Sequence, residues 1–131
     1  MAKRRISAED GRAALHAVET GSTARTDVAT AVRFLLEELA ERAPGNSVEV
    51  RVPPFGATQC VPGPRHTRGT PPNVIETDPE TWLALATGTL AWAEALDAAR
   101  VIASGSRANL DGLLPLVRRP DTQPQAETME I

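Results

Sequence analysis

The chain has 131 residues, 41% of them hydrophobic, which suits one core of ordinary size and points to a single domain. A net charge of -3, a pI near 5.4 and only 3% aromatic residues argue against a nucleic-acid surface, which needs a basic excess and rings for base stacking. Cys60 is the lone cysteine, so no intramolecular disulfide can form and a cysteine-based zinc site is not expected.

Residues 1–6 (MAKRRI) read as a flexible basic arm with no apolar run of signal-peptide length behind it. No stretch approaches the roughly eighteen apolar residues of a membrane span. The expectation is a soluble, unexported protein of a reducing cytoplasm, without stable membrane insertion. Ser7, with Asp10 three positions on, approximates a capping box and starts a first helix; Gly11, Ala14, Leu15 and Val18 share its inner face, and Thr20-Gly21 ends it. His16 falls toward the polar side and reads as a solvated helix histidine.

The second helix has the clearest period. Val28, Ala31, Val32, Leu35, Leu36, Leu39 and Ala43 fall on one stripe, with Thr26 or Asp27 as cap and Pro44-Gly45 as stop. Arg33, Glu37, Glu38, Glu41 and Arg42 take the outer face. Such a helix is the natural cover for a sheet.

Val48–Val52 alternates valine with charge, the pattern of a half-buried strand. Pro53-Pro54 ends it, Phe55-Gly56 turns, and residues 57–61 return, so a hairpin is the default pairing. Thr58 and Cys60 share one face of the returning strand, and Gln59 lies on the other with Ala57 and Val61. If the second set faces the core, Gln59 is a buried amide that needs partners.

Residues 62–72 (PGPRHTRGTPP) are loop or an irregular hairpin end. Arg65, His66 and Arg68 put two fixed cations and a titratable donor beside the Thr67 and Thr70 hydroxyls and the Gly69 backbone, a set that suits carboxylate or phosphate oxygens. The same residues also suit an ordered loop whose arginines pair with the domain's own carboxylates, or a surface for a protein partner. Asn73–Thr77 then reads as a strand.

Asp78-Pro79 reads as an N-cap with proline in the first helical position. Trp82, Leu85 and Ala86 share the inner face of a short helix that Gly88 releases. Trp92, Ala95, Leu96 and Ala99 define a second one. Residues 100–104 read as a strand broken by Gly105, and Ser106 can cap a last helix carrying Leu110, Leu113, Leu114 and Val117, which Pro115 weakens near its end. The polar, proline-punctuated residues 118–131 read as a disordered tail, which leaves residues 7–117 as the domain.

These elements sum to an α+β fold: a mostly antiparallel sheet of four or five strands covered by helices. Chemistry finds no footing. There is no nucleophile elbow, no paired-histidine motif and no phosphate loop between strand and helix, and a Cys60–His66 pair has no third group to orient it. No enzyme, metal or cofactor is expected.

The order Thr77, Asp78, Trp82, Leu85, Gly88, Ala95, Gly105, Leu110, Leu113 resembles the C-terminal half of the sterol carrier protein type 2 fold. Upstream, VEVRVPPFG and PGPRHTRGTPPNVIETD are similar to the short bacterial sterol carrier family proteins, and the resemblance covers about residues 8–117. That family fold has five strands where four are visible here, which leaves a fifth open in residues 65–72. The resemblance implies a non-catalytic carrier for a fatty acid, acyl chain or sterol-like molecule, held between sheet and helices.

Trp82, Leu83, Leu85, Leu110, Leu113, Leu114 and Val117 are then the expected apolar lining, with an acidic head group near Arg65, His66, Arg68 and Gln59. Two rivals stay open. One is a fully packed domain that docks onto a protein partner or a second copy of itself. The other is an accessory domain serving an enzyme in trans, because small bacterial members of the fold resemble domains attached to thiol-dependent enzymes.

Overall fold

The computed structural model describes residues 5–64 and 73–117. The 65–72 loop with Arg65, His66, Arg68 and any fifth strand, most of the N-terminal arm and the 118–131 tail lie outside the described residues. Arg5 and Ile6, the end of the expected arm, are held: their main-chain amides donate to the two carboxylate oxygens of Glu37, each at 3.2 Å.

Helix α1 (Ala8–Glu19) starts where Ser7 Oγ accepts the Asp10 amide at 3.0 Å. It lies tightly on α2 (Arg25–Arg42). A Cβ at Gly11 would run into the Phe34 ring, so glycine sets how closely the two helices approach. Neither Thr26 nor Asp27 caps α2; Ala24 does, without a side-chain bond. The reason is local, because Ser22 Oγ donates to Asp27 at 2.7 Å and accepts the Ala24 amide at 3.2 Å, so the helix begins ahead of the expected cap.

Strands β1 (Val48–Val52), β2 (Gly56–Cys60) and β3 (Asn73–Thr77) precede helices α3 (Pro79–Thr87) and α4 (Trp92–Asp97), and strand β4 (Val101–Ser104) follows. The sheet order is β2-β1-β3-β4. The β1–β2 hairpin and the β3–β4 pair are antiparallel while β1 and β3 run parallel, so the sheet is mixed with antiparallel pairing in the majority. Val48, Val50 and Val52 face inward beside Cys60, Ile75 and Val101, and α2 covers them with Val32, Leu35, Leu36 and Leu39. Alternation along the strands sends Glu49, Arg51, Gln59 and Ile102 to the other face.

Helix α4 ends at Asp97, before the expected stripe is complete: Leu96 is 41% exposed, and Ala99 takes a left-handed φ of 57°. That turn lets the Arg100 amide reach the Ala95 carbonyl at 2.9 Å and feeds β4. Strand β2 likewise stops one residue early. Val61 at φ 69° donates to the Ala43 carbonyl, and its own carbonyl accepts the Ser47 hydroxyl at 2.7 Å. Buried Asn73 joins two loops to β3, donating to the Ser47 carbonyl and accepting the Arg107 amide, both at 2.8 Å.

Candidate functional site

The expected apolar lining centres on α3 and the chain that follows β4. Asp78 caps α3 by accepting the Thr81 amide at 3.0 Å and the Thr81 hydroxyl at 2.6 Å, Pro79 sits in the first turn, and Gly88 closes the helix at φ 89°. This cap turns Trp82, Leu85 and Ala86 inward, where each is at most 1% exposed. The Trp82 indole donates to the Val32 carbonyl at 3.2 Å, so a buried polar N–H is satisfied from α2.

The last helix expected from Ser106 does not form, and residues 105–117 are a run of turns. Asn109 Oδ1 accepts the Asp111 amide at 2.8 Å, and Gly105 and Gly112 take φ values of 105° and 91°. Asn, Asp and Gly offer the backbone local alternatives to a helix, and Pro115 removes a donor in the same stretch. Leu110, 1% exposed, and Leu116, 4% exposed, anchor this segment in the core. Its far end is stitched down from two helices. The Leu116 and Val117 amides both donate to the Ala86 carbonyl, at 2.8 and 3.1 Å, and Arg42 donates through Nη1 to the Pro115 carbonyl at 3.3 Å and through Nη2 to the Leu116 carbonyl at 2.9 Å.

Of the seven lining residues expected, Trp82, Leu85 and Leu110 are fully packed core, whereas Leu83, Leu113, Leu114 and Val117 are half-buried against it. Leu116 and Arg42 were not legible as part of this region. Arg42 reads as an outer-face cation, and its carbonyl partners lie 73 and 74 residues along the chain.

Gln59 faces outward on β2, where its Oε1 accepts from Asn46 Nδ2 at 2.8 Å, so the condition under which it would be a buried amide is not met. His16 is exposed on α1. A groove of about 520 Å³ lies on the flank of α2 that meets β2, between the Arg5-Ile6 segment, the helix and Phe55-Gly56. Periodicity along the chain carries no sign of it, because its walls come from three separate stretches.

Two titratable groups depart from their ordinary values. Burial pushes the Cys60 thiol up to about 11, so it stays protonated and unreactive at neutral pH. Partial burial pushes the Asp78 carboxyl up, but the Thr81 hydroxyl and amide bonds and the nearby Arg100 charge outweigh it and hold the group below 3.8. Among the described residues no group of three or more His, Cys, Asp or Glu side chains is placed to hold a metal, and no helix is long and apolar enough to cross a membrane.

A comparison with curated proteins finds no match. Residues 24–116 match the model of a family described as bacterial SCP ortholog, SCP standing for sterol carrier protein. The match runs from the start of α2 to the stitched end of the turn segment, taking in the whole sheet and both short helices. With well over half of its length matched, and with the α+β architecture expected of a sterol carrier fold, the chain belongs to the bacterial SCP ortholog family.

Proposed function

We propose that this protein is a non-catalytic binder or carrier of an apolar guest, a fatty acid, acyl chain or sterol-like molecule, seated where residues 110–117 cross α3. Family membership supports the carrier class. The observation that carries the site is the state of the 110–117 segment: it belongs to no helix or strand, yet it lays Leu113, Leu114 and Val117 half-buried on the core and ends on the Ala86 carbonyl of α3. A segment held by a few end-on hydrogen bonds, with no ladder of its own, opens at lower cost than a helix or strand. Lifting it exchanges protein-to-protein apolar contact for protein-to-guest contact, so the burial of the leucines is not forfeited while the guest is bound.

In this reading Trp82, Leu85 and Leu110 form the fixed floor, and the half-buried leucines are the part that moves. An acidic head group on the guest is assigned to Arg65, His66 and Arg68, on the chemistry of their side chains. A reducing cytoplasm suits the buried thiol of Cys60.

Mass spectrometry of the organic extract of purified protein tests this reading. It predicts an apolar compound near one equivalent. An empty extract, together with delipidated protein that takes up no apolar probe, contradicts it.

One observation favours the rival of a packed docking domain. Ile102 on the edge strand β4 is 68% exposed on the outward face of the sheet, where a partner would cover it. A stable complex in a pull-down that Ile102→Ser abolishes, with no apolar ligand in the extract, would favour that reading over the carrier.

A further inference from the structure

We propose that the groove between α2 and β2 is a binding site for an organic anion: a carboxylate or phosphate monoester borne on a short apolar body. None of the groove's residues belongs to the 110–117 region, so this inference is independent of the carrier reading. Two arginines from distant parts of the chain, Arg5 and Arg33, line it, and a third, Arg25 at the start of α2, stands beside it. Arg33 leaves α2 and donates through Nε to the Phe55 carbonyl at 2.7 Å, which fixes the plane of its guanidinium. Its two Nη groups have no hydrogen-bond partner among the described residues.

Arg5 is brought to the same groove by the Glu37 carboxylate, which takes the Arg5 and Ile6 amides and so pins the segment along the rim. The Arg5 guanidinium itself has no partner among the described residues. Arg25 lies over the Phe55 ring at 5.0 Å and adds a third positive charge beside the groove. Even with the Glu37 carboxylate on the same wall set against them, these arginines leave a positive excess at the groove, on a chain whose net charge is -3.

The rest of the wall fits the other half of such a ligand. Ile6, Leu36 and Phe55 give apolar surface, and the Thr30 and Thr58 hydroxyls can donate to an anion. Gly56 keeps the floor open, because a Cβ there would point at Leu36 Cδ1 3.4 Å away and at the Arg33 stem. A volume of about 520 Å³ lies within the size of ordinary small-molecule sites. Guanidinium forks bind carboxylate and phosphate through paired N–H groups, and Arg33 is already oriented for it.

The test follows backbone amide shifts of the isotope-labelled full chain during titration with hexanoate, hexyl phosphate and hexanol. The proposal expects saturable shifts at Thr30, Gly56 and Thr58 with at least one of the two anions and none with hexanol. A response to only one anion identifies which acid the site takes. Arg5→Ala and Arg33→Met are expected to weaken binding by about tenfold each, the loss typical of a charged hydrogen-bonding group. Arg33→Lys, which keeps the charge without the fork, should be weakened less than Arg33→Met. Arg12→Ala, the same charge change on the exposed side of α1, should leave affinity unchanged. Equal response to hexanol, shifts confined to residues 110–117, absence of any shift, or equal weakening by Arg12→Ala would overturn it.

Discussion

The indole N–H of Trp82, at the inner face of α3, donates to the main-chain carbonyl of Val32 in the middle of α2, and both residues are fully buried. The bond ties the short helix to the long one, so the ring acts first as a fastener within the helical layer. Trp82→Phe keeps an aromatic ring there but removes the donor and leaves unfilled volume. It should cost about 2 kcal/mol in urea unfolding at neutral pH. A cost near zero would show that the bond and the fit of the larger ring contribute nothing.

Asp78 joins the start of α3 to the end of β3. Asp78→Ala should lose about 1 kcal/mol at pH 7, the usual worth of an N-cap. The folded carboxyl sits below 3.8 and the unfolded one at the ordinary value, so its stabilisation is present above the unfolded value and is lost as pH falls through the folded one. Denaturation of both proteins between pH 2 and pH 7 (roughly the window set by ordinary carboxylate titration) should therefore show the gap narrowing in acid. A constant gap would contradict the assignment.

Cys60 has the opposite sign. Its thiol titrates near 11 in the folded protein against 9.0 for an unperturbed group, so the unfolded chain ionises first. Its contribution is whole below 9.0 and drains away as pH rises toward 11. Two outcomes follow: native protein should resist a thiol-alkylating reagent at neutral pH and react on unfolding, and Cys60→Ala should lose less stability than wild type between those values. Rapid alkylation of the native protein would contradict the burial argument.

Arg42 bridges the Pro115 and Leu116 carbonyls from the last turn of α2. Arg42→Met keeps much of the stem and removes the donors. Amide exchange at Leu116 and Val117 should speed up by roughly fivefold to tenfold, because a hydrogen bond of this kind is worth on the order of 1 kcal/mol. Global stability should change by no more than about that amount. Unchanged exchange at those two amides would show that Arg42 does not hold the segment down.

Much of the architecture was legible, and the reasons are local. The Ser7 and Asp78 caps, the Gly88 stop, the valine alternation of β1 and the stripe of α2 each declare themselves within a few residues, and all are found where expected. The exceptions were decided by competition. At Ser22 and Asp27 two capping side chains satisfied each other, and across residues 105–117 turn-forming Asn109, Asp111 and Gly112 overrode a helical leucine spacing. The parallel β1–β3 pairing and the Arg42 and Asn73 bridges depend on partners far away in the chain, where spacing carries no information. The α2–β2 groove escaped for the same reason, since Arg5, Arg33 and Phe55 meet only in the fold.

An apolar guest is expected to bind under the half-buried leucines of residues 110–117, the segment whose far end is tied to α3. Titration of a fluorescent acyl probe into delipidated wild type and Leu113→Asp plus Leu114→Asp tests it most directly, with far-UV circular dichroism as the check on folding. Saturable uptake near one equivalent by wild type, lost in the folded double variant, is the predicted result. No uptake by wild type, or equal uptake by the variant, would contradict it.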